Sequence, residues 1–140
     1  MYETVVVGAD GSATAGEAVR QAIALVKLTG GKLHIVSAYK PQQLRSSAEG
    51  EFANSLDSGD MASSLLADLA GRARTAGVDA ETHPESGDPA DAICEVAVQV
   101  KADLIVIGNK GMTGVRRVLG SIPNSVAHNA PCSVLIAFTS

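Results

Sequence analysis

Hydrophobic residues occur along the chain in short unbroken runs and in longer stretches with helical spacing. The short runs lie at 4–7, 33–38, 103–107 and 133–138, where 33–38 also includes His34 and Ser37, and residues 78–82 alternate between apolar and polar. Unbroken runs are typical of strands in a parallel sheet, because both faces of such a sheet are covered. Strict alternation is typical of a strand with one exposed face. The pattern therefore predicts five strands, of which the third is a half-exposed edge strand.

The segments between these strands carry the helical pattern. Apolar residues recur on one side of 14–29, 61–76, 89–100 and 121–129, which predicts four amphipathic helices. Gly30 and Gly77 follow the first two as stop signals, and Asp88 precedes the third as an N-cap. Parallel neighbours need a crossover, and each segment is long enough for one helix. We expect residues 1–140 to form one open, doubly wound α/β domain with a mainly parallel sheet.

Residues 42–60 interrupt this order. The segment is polar, rich in Ser and Gly, and longer than most connections in a compact domain. Connections of this length are usually functional or flexible. We expect a mobile loop that becomes ordered when a ligand binds and so changes which partners the protein meets.

Composition and charge exclude several classes of protein. The chain has 140 residues, 11 Lys and Arg against 15 Asp and Glu, and a net charge of -4. Binding to nucleic acid or to an anionic membrane is therefore not expected. The chain has no Trp, 2 Phe and 2 Tyr, too few for a base-stacking platform. No apolar run approaches the roughly 20 residues of a membrane helix, and the start lacks the basic segment of a signal peptide. Two cysteines without disulfide or zinc-site spacing indicate the reducing cytoplasm.

Two glycine-rich segments follow predicted strands, at 8–12 and 108–121. In a parallel sheet both lie at the carboxyl-end edge, where open α/β folds usually bind their ligands. The second segment opens with glycines that leave the backbone amides bare and ends at a predicted helix N-terminus, a combination that suits phosphate. Lys110, Arg116 and Arg117 add cationic charge. The same glycines are equally compatible with a loop that binds nothing.

Asp10 follows the first strand at this edge of the sheet. A carboxylate there can accept hydrogen bonds from the hydroxyls of a ribose. In the sequence Asp10-Gly11-Ser12 it can equally close an Asx-turn or cap a helix. The residues alone leave both interpretations open.

Two segments carry a resemblance to a known family: VVVGADGS at 5–12 and DLIVIGNKGMTGVRRVLGSIPNSVAHNAPCSVLIA at 103–137. They resemble the universal stress protein family, and the resemblance extends over essentially the whole chain. In its nucleotide-binding branch, Gly-x-x-Gly is followed, after a spacer, by Gly and then Ser or Thr. Gly108, Gly111, Gly120 and Ser121 match this pattern, with a spacer at 112–119 that is one residue short. The resemblance implies an open sheet of five parallel strands with helices on both faces, of the adenine nucleotide alpha hydrolase-like type.

The resemblance also implies a ligand and the residues that hold it. The ligand would be an adenine nucleotide, first of all ATP, with Mg²⁺ accompanying the phosphates. Cyclic AMP is a competitor, since its single phosphate needs fewer contacts and the short spacer favours a smaller pocket, and AMP is a further alternative. The implied contacts are Ala9, Ser37 and Ala38 at the adenine, Asp10 at the ribose, Ile107 and Gly108 at the ribose and phosphate entrance, and Asn109, Gly111, Gly120, Ser121 and Ile122 around the phosphates.

The family commonly forms homodimers through its last strand. In this chain that strand contains Val134, Leu135, Ile136 and Ala137. A dimer fits these residues, because an apolar edge strand left unpaired promotes aggregation. The same apolar residues would also be expected if this strand only packed into the core of its own chain.

No catalytic set is predicted. His34, His83 and His128 have no nucleophile or metal-ligand partner in the sequence and are expected to be structural or surface residues. Cys94 and Cys132 are expected to be small buried apolar residues rather than redox sensors. The chain lacks a nucleophile elbow and a Walker loop. We therefore expect a stress-response protein that acts by binding, with at most slow ATP hydrolysis and no metal site of its own.

Three other functions compete with this interpretation. A flavin-binding electron carrier of flavodoxin-like topology would need more aromatic residues than this chain has. A phospho-receiver domain could use Asp10 but needs further acidic residues around it. The last is an interaction module of the same family that binds no nucleotide.

Overall fold

Strands and helices alternate throughout the residues that the computed structural model describes, 1–40, 58–109 and 119–139. This alternation confirms the predicted order of elements. The strands are β1 (Thr4–Gly8), β2 (Lys32–Tyr39), β3 (Asp79–Ser86), β4 (Leu104–Gly108) and β5 (Ser133–Ala137), and the described helices are α1 (Ala13–Thr29), α2 (Ser58–Thr75), α3 (Pro89–Gln99) and α4 (Ser121–Asn129). None of these helices has the length and apolar character needed to cross a membrane.

The five strands form one parallel sheet in the order β3-β2-β1-β4-β5. The chain runs from β1 outward to β3 and then returns to the other side of β1, where β4 and β5 are added. This confirms the predicted doubly wound α/β sheet. The reversal leaves a crevice at the carboxyl ends of β1 and β4. The order differs from the 2-1-3-4-5 order of flavodoxins and receiver domains, so the topology supports neither of those two alternatives.

The centre of the sheet is built from β-branched and aliphatic residues. Val5, Val6 and Val7 in β1 are completely buried, because successive side chains point to opposite faces and helices cover both. Val5 and Val7 pack into a cluster with residues of α1 and α2, whereas Val6 packs with residues of α3 and α4. The helices therefore lie on both faces, as predicted.

The two ends of the sheet are more exposed. Residues of β3 alternate between exposed and half-buried positions, which confirms the predicted edge strand. The strand extends to Ser86, four residues beyond the predicted end at 82. It includes Pro84, which an edge strand tolerates because one side of its backbone makes no ladder hydrogen bonds.

Local signals define the helix ends. The N–H of Gly30, at φ 74°, donates to the carbonyl of Val26 and ends α1, as predicted for a left-handed C-cap. The Asp88 side chain accepts a hydrogen bond from the N–H of Asp91 at the start of α3, which confirms the predicted cap. Helix α2 begins at Ser58, three residues before the predicted start. The remainder of the predicted 42–60 loop, residues 42–57, lies outside the described residues.

Candidate functional site

A cavity of about 280 Å³ opens at the carboxyl ends of β1 and β4. The carboxyl ends of three strands and the first turns of three helices meet there. In a parallel sheet, the helix that follows each strand begins at this same edge. The lining is mostly apolar, and Asp10 is the only ionisable residue among the described residues that line it. The full lining is Gly8, Ala9, Asp10, Ser12, Thr14, Ala15, Val36, Ala38, Pro89, Ile93, Ile107, Gly108, Gly120, Ser121, Ile122 and Pro123.

Asp10 is held at the mouth of this cavity by the turn that leads from β1 into α1. Its Oδ1 atom accepts a hydrogen bond from the N–H of Ser12 at 2.9 Å. The Asx-turn considered for this residue is therefore present. Because a carboxylate has several acceptor positions, the turn does not by itself prevent Asp10 from binding a hydroxyl group. The two interpretations of Asp10 are compatible.

The three helix N-termini at the cavity are not equivalent. In α1 the Ser12 hydroxyl accepts a hydrogen bond from the N–H of Ala15, and in α3 Asp88 caps in the same way. In α4 the N-cap is Gly120, which provides no side-chain hydrogen bond. The N-cap of α4 is thus Gly120, and Ser121 is the first residue of the helix. The N-cap residue of α4 therefore does not occupy its first N–H groups, and the positive end of the helix dipole favours an anion there.

Two glycines allow close packing where the strands end. A Cβ atom on Gly8 would lie 2.6 Å from Cδ1 of Ile93, so the missing side chain lets α3 pack over the end of β1. A Cβ on Gly108 would lie 3.4 Å from the carbonyl oxygen of Thr14. The end of β4 therefore passes close to the first turn of α1, which brings the two walls of the cavity together.

Eight of the predicted site residues line the cavity together, although they come from four separate segments. They are Ala9, Asp10, Ala38, Ile107, Gly108, Gly120, Ser121 and Ile122. Gly111 and the cationic residues Lys110, Arg116 and Arg117 lie outside the described residues.

Ser37 and Asn109 do not line the cavity. Ser37 is buried, and alternation along β2 directs its side chain to the face opposite that of Val36 and Ala38, which do line it. The Asn109 side chain is also buried and bonds to Thr139 instead. Their side chains therefore belong to the scaffold around the site.

The cavity is also lined by residues that were not predicted from the sequence to contact a ligand. Ser12 and Thr14 contribute hydroxyls from the start of α1, and Pro89 and Ile93 contribute an apolar wall from α3. Asp88-Pro89 was recognisable as a helix start, and every such start in a parallel sheet lies at this edge. Which of them reaches the cavity depends on the packing of α3 over Gly8.

Comparison with known proteins decides the family. The family model described as "Universal stress protein family" matches residues 1–137. The chain belongs to the universal stress protein family. The expected resemblance is confirmed over nearly the full length of the chain.

Curated relatives of this universal stress protein come from bacteria. A universal stress protein of Mycobacterium tuberculosis is 38% identical over 143 residues, which cover 99% of this chain and 97% of the relative. A putative universal stress protein of Staphylococcus aureus is 33% identical over 141 residues, covering 99% of this chain and 85% of the relative.

Solved structures resemble the universal stress protein closely. A universal stress protein in complex with cAMP has a TM-score of 0.78 and 38% identity, covering 99% of this chain and 98% of the other. The universal stress protein of Archaeoglobus fulgidus in complex with dAMP has a TM-score of 0.69 and 26% identity, covering 96% and 97%. These likenesses confirm the adenine nucleotide alpha hydrolase-like fold.

Outside the cavity, the histidines and cysteines of this universal stress protein lie in varied surroundings. His34 is buried in β2, and this burial, with the nearby His83, lowers the pKa of its ring. His128 is exposed on α4. Cys94 and Cys132 are free and half-buried, and burial raises the pKa of both thiols. A raised pKa keeps a thiol protonated and unreactive, which agrees with the expected packing role.

Proposed function

We propose that this universal stress protein binds an adenine nucleotide in the cavity and acts through binding rather than catalysis. One observation carries the proposal: a single cavity contains the carboxylate of Asp10 and the N-terminus of α4, where the N-cap residue Gly120 offers no side-chain hydrogen bond. A carboxylate binds the hydroxyls of a ribose, and the N–H groups of a helix N-terminus bind phosphate. The spacing of a sugar and its phosphates requires both within one pocket.

The apolar part of the cavity is proposed to hold the base. Ala9 and Ala38 would lie along the adenine, beside Val36, and Ile107 and Gly108 would lie at the ribose. Gly120, Ser121 and Ile122 would surround the phosphates together with Gly111, which lies outside the described residues. Ser37 and Asn109 are left out of this set, because they do not line the cavity.

ATP is the ligand that the glycine pattern of the sequence favours. Four positions of the family's nucleotide-binding pattern are present in the chain, at Gly108, Gly111, Gly120 and Ser121. A triphosphate uses several bare amides at once. Mg²⁺ would accompany these phosphates, since Asp10 is the only carboxylate among the described lining residues and one carboxylate holds Mg²⁺ only with help from the phosphates.

Cyclic AMP is a second candidate, which a different observation favours. The relative whose structure contains cAMP is 38% identical and covers 99% of this chain. The more distant relative from Archaeoglobus fulgidus contains dAMP, which also has a single phosphate. These two ligands support a site for an adenine base and for a phosphate near the sugar. ATP and cyclic AMP both have these two groups.

Little or no turnover is proposed. Efficient phosphoryl transfer needs groups that position the attacking nucleophile and neutralise the charge of the transferred phosphoryl. Among the described lining residues, Asp10 is the only ionisable group that could orient a nucleophile, and none of them has a cationic side chain to neutralise the phosphoryl group. The expected place of Asp10 at the ribose lies away from the terminal phosphate.

The proposed location of the protein is the reducing cytoplasm. Its two free, half-buried cysteines support this location.

A homodimer through β5 is part of the proposal. The strand is at the edge of the sheet, and Leu135 and Ile136 are 42% and 37% exposed. Ala137 is buried in the core of its own chain, and Val134 packs against the α3–α4 side. The two exposed residues would therefore form the centre of the contact, while the other two support the strand from behind.

The test is thermal stabilisation of the purified protein by ATP, cyclic AMP and AMP, with GTP and FMN as controls. A nucleotide at 100 times its dissociation constant should raise the free energy of unfolding by about 2.7 kcal/mol. Isothermal titration then ranks ATP against cyclic AMP. Stabilisation by GTP as strong as by ATP would contradict an adenine site. No response to any adenine nucleotide would leave the interaction module as the better hypothesis.

A further inference from the structure

Three polar side chains converge on one face of the sheet at its β3 edge, away from the cavity. Nδ1 of His34 lies 2.9 Å from Nε2 of His83. Oε2 of Glu81 lies 3.9 Å from the first of these nitrogens and 3.4 Å from the second. Two imidazole nitrogens and one carboxylate oxygen thus face a common point.

The register of β2 and β3 brings these residues together. His34 pairs directly with Glu81, and Val36 pairs with His83. Paired residues of neighbouring strands project from the same face, and so do residues two apart within a strand. The three side chains are therefore neighbours because of the backbone ladder itself. Such a support holds ligand positions more precisely than a loop does.

The distances agree with those around a small metal ion. In the plane of the three atoms, the point equidistant from them lies about 2.0 Å from each. Zinc binds imidazole nitrogen at about 2.0–2.1 Å and carboxylate oxygen at about 2.0–2.2 Å. Two histidines and one glutamate, with a fourth position left for water, form a known type of zinc ligand set. We propose that His34, Glu81 and His83 bind one Zn²⁺ ion, which ties the edge strand β3 to β2.

Neighbouring groups support this site. Nζ of Lys32 lies 3.2 Å from Oε1 of Glu81, so it holds one carboxylate oxygen and leaves Oε2 directed at the histidines. An outer partner of this kind fixes the orientation of a metal-binding carboxylate. His34 is buried, whereas the side chain of Glu81 is half exposed. The site is therefore fixed to the sheet at His34 and accessible to solvent at Glu81, so a metal ion can enter from solvent.

Without metal, an N–H of one histidine ring donates a hydrogen bond to the other ring at the observed 2.9 Å. Zinc would replace that shared proton and draw both nitrogens toward itself, which small rotations of the two rings allow. A metal-free hydrogen bond and a zinc site thus make different predictions. The hydrogen bond alone gives the protein no affinity for zinc beyond that of a surface histidine.

The experiment uses the full chain after removal of metal with a chelator, in the absence of nucleotide. Isothermal titration with Zn²⁺ should give one ion per chain. Co²⁺ should bind at the same place and show visible absorption bands without a sulfur-to-cobalt charge-transfer band, since the ligands are nitrogen and oxygen. Among the described residues, this is the one group of three or more metal-ligating side chains that is close enough to bind an ion.

Variants identify the ligands. His83→Gln and Glu81→Gln should each lower the affinity for Zn²⁺ by at least about 100-fold, because replacing even an outer partner costs about 10- to 100-fold. His128→Gln is the matched control, since His128 is the third histidine of the chain and lies on α4. It should bind Zn²⁺ as the unchanged protein does.

Several results would overturn the site. One is a chain that takes up no zinc, and another is equal loss of affinity in His128→Gln. A third is unchanged affinity in both His83→Gln and Glu81→Gln. Circular dichroism and nucleotide-induced thermal stabilisation check that the variants are folded. If His83→Gln unfolds, the half-exposed Glu81→Gln decides the question, because its loss of zinc affinity supports the site and its retention contradicts it.

Discussion

Asn109 and Thr139 join the ends of β4 and β5. Oδ1 of Asn109 accepts hydrogen bonds from the backbone N–H and from the hydroxyl of Thr139, at 2.9 and 2.8 Å. The ladder between the two strands ends at Gly108 and Ala137, one residue before Asn109 and two residues before Thr139. The Asn109 side chain therefore extends the pairing beyond the last backbone contact, and in doing so it turns away from the cavity.

Asn109→Ala is expected to lower the free energy of unfolding by about 1–3 kcal/mol, because two partly buried hydrogen bonds are lost. Thr139→Val removes only the hydroxyl bond and should cost about 1 kcal/mol. Urea unfolding measures both, and the double variant shows the coupling between them. Unchanged stability of Asn109→Ala, together with loss of nucleotide binding, would mean that Asn109 contacts the ligand after all.

The substitution Asp10→Asn distinguishes the role of Asp10 in the turn from its role in nucleotide binding. The amide oxygen still accepts the hydrogen bond from Ser12, so the turn should be retained. Affinity for ATP or cyclic AMP should fall about tenfold, because a charged acceptor at the ribose becomes neutral. Asp10→Ala should weaken binding by about 1–3 kcal/mol and also loosen the turn.

Titration calorimetry and thermal unfolding measure these effects of Asp10 side by side. The exposed Glu95 on α3 gives the control Glu95→Gln, which makes the same change of charge away from the cavity. If Asp10→Asn binds both nucleotides as tightly as this control, the ribose lies elsewhere.

Leu135→Lys should convert the proposed dimer to a monomer. A lysine on an edge strand adds charge where two apolar strands would meet, and this opposes edge-to-edge pairing. Leu28→Lys is the matched control, because Leu28 is also exposed but lies on α1. Sedimentation equilibrium measures the mass of each variant. A monomeric starting protein, or equal effects of the two variants, would contradict a dimer through β5.

Replacing two glycines by alanine should have opposite effects on stability. A Cβ on Gly31 would overlap the backbone of Glu3, whose carbonyl accepts a hydrogen bond from Lys32 at 2.7 Å. Gly31→Ala should therefore lower the free energy of unfolding by about 1–3 kcal/mol. Gly16 lies within α1, and outside its own helix no atom of the described residues lies within 4 Å of its Cβ position. Gly16→Ala should therefore raise the free energy of unfolding by up to about 1 kcal/mol. Urea unfolding compares the two, and equal signs would refute the packing argument.

The positions of the site residues could be predicted only in part. Asp10 and Ser121 follow clear local signals, a strand end with turn residues and a glycine before a helix. Ser37 could not be assigned to a face from the sequence, since a shift of one residue along a strand reverses the face. Asn109 lies in a glycine-rich segment that suits phosphate, and its bond to Thr139 depends on a residue 30 positions away.

The amino-acid sequence by itself determined the succession of strands and helices, the parallel sheet and the edge that carries the cavity. These properties follow from apolar spacing and from turn residues, which act within a few positions of the chain. Tertiary structure alone decided which side chains face the cavity and that His34 meets His83, 49 positions away. Both depend on strand register and on the packing of α3, which arise only when distant segments share one sheet.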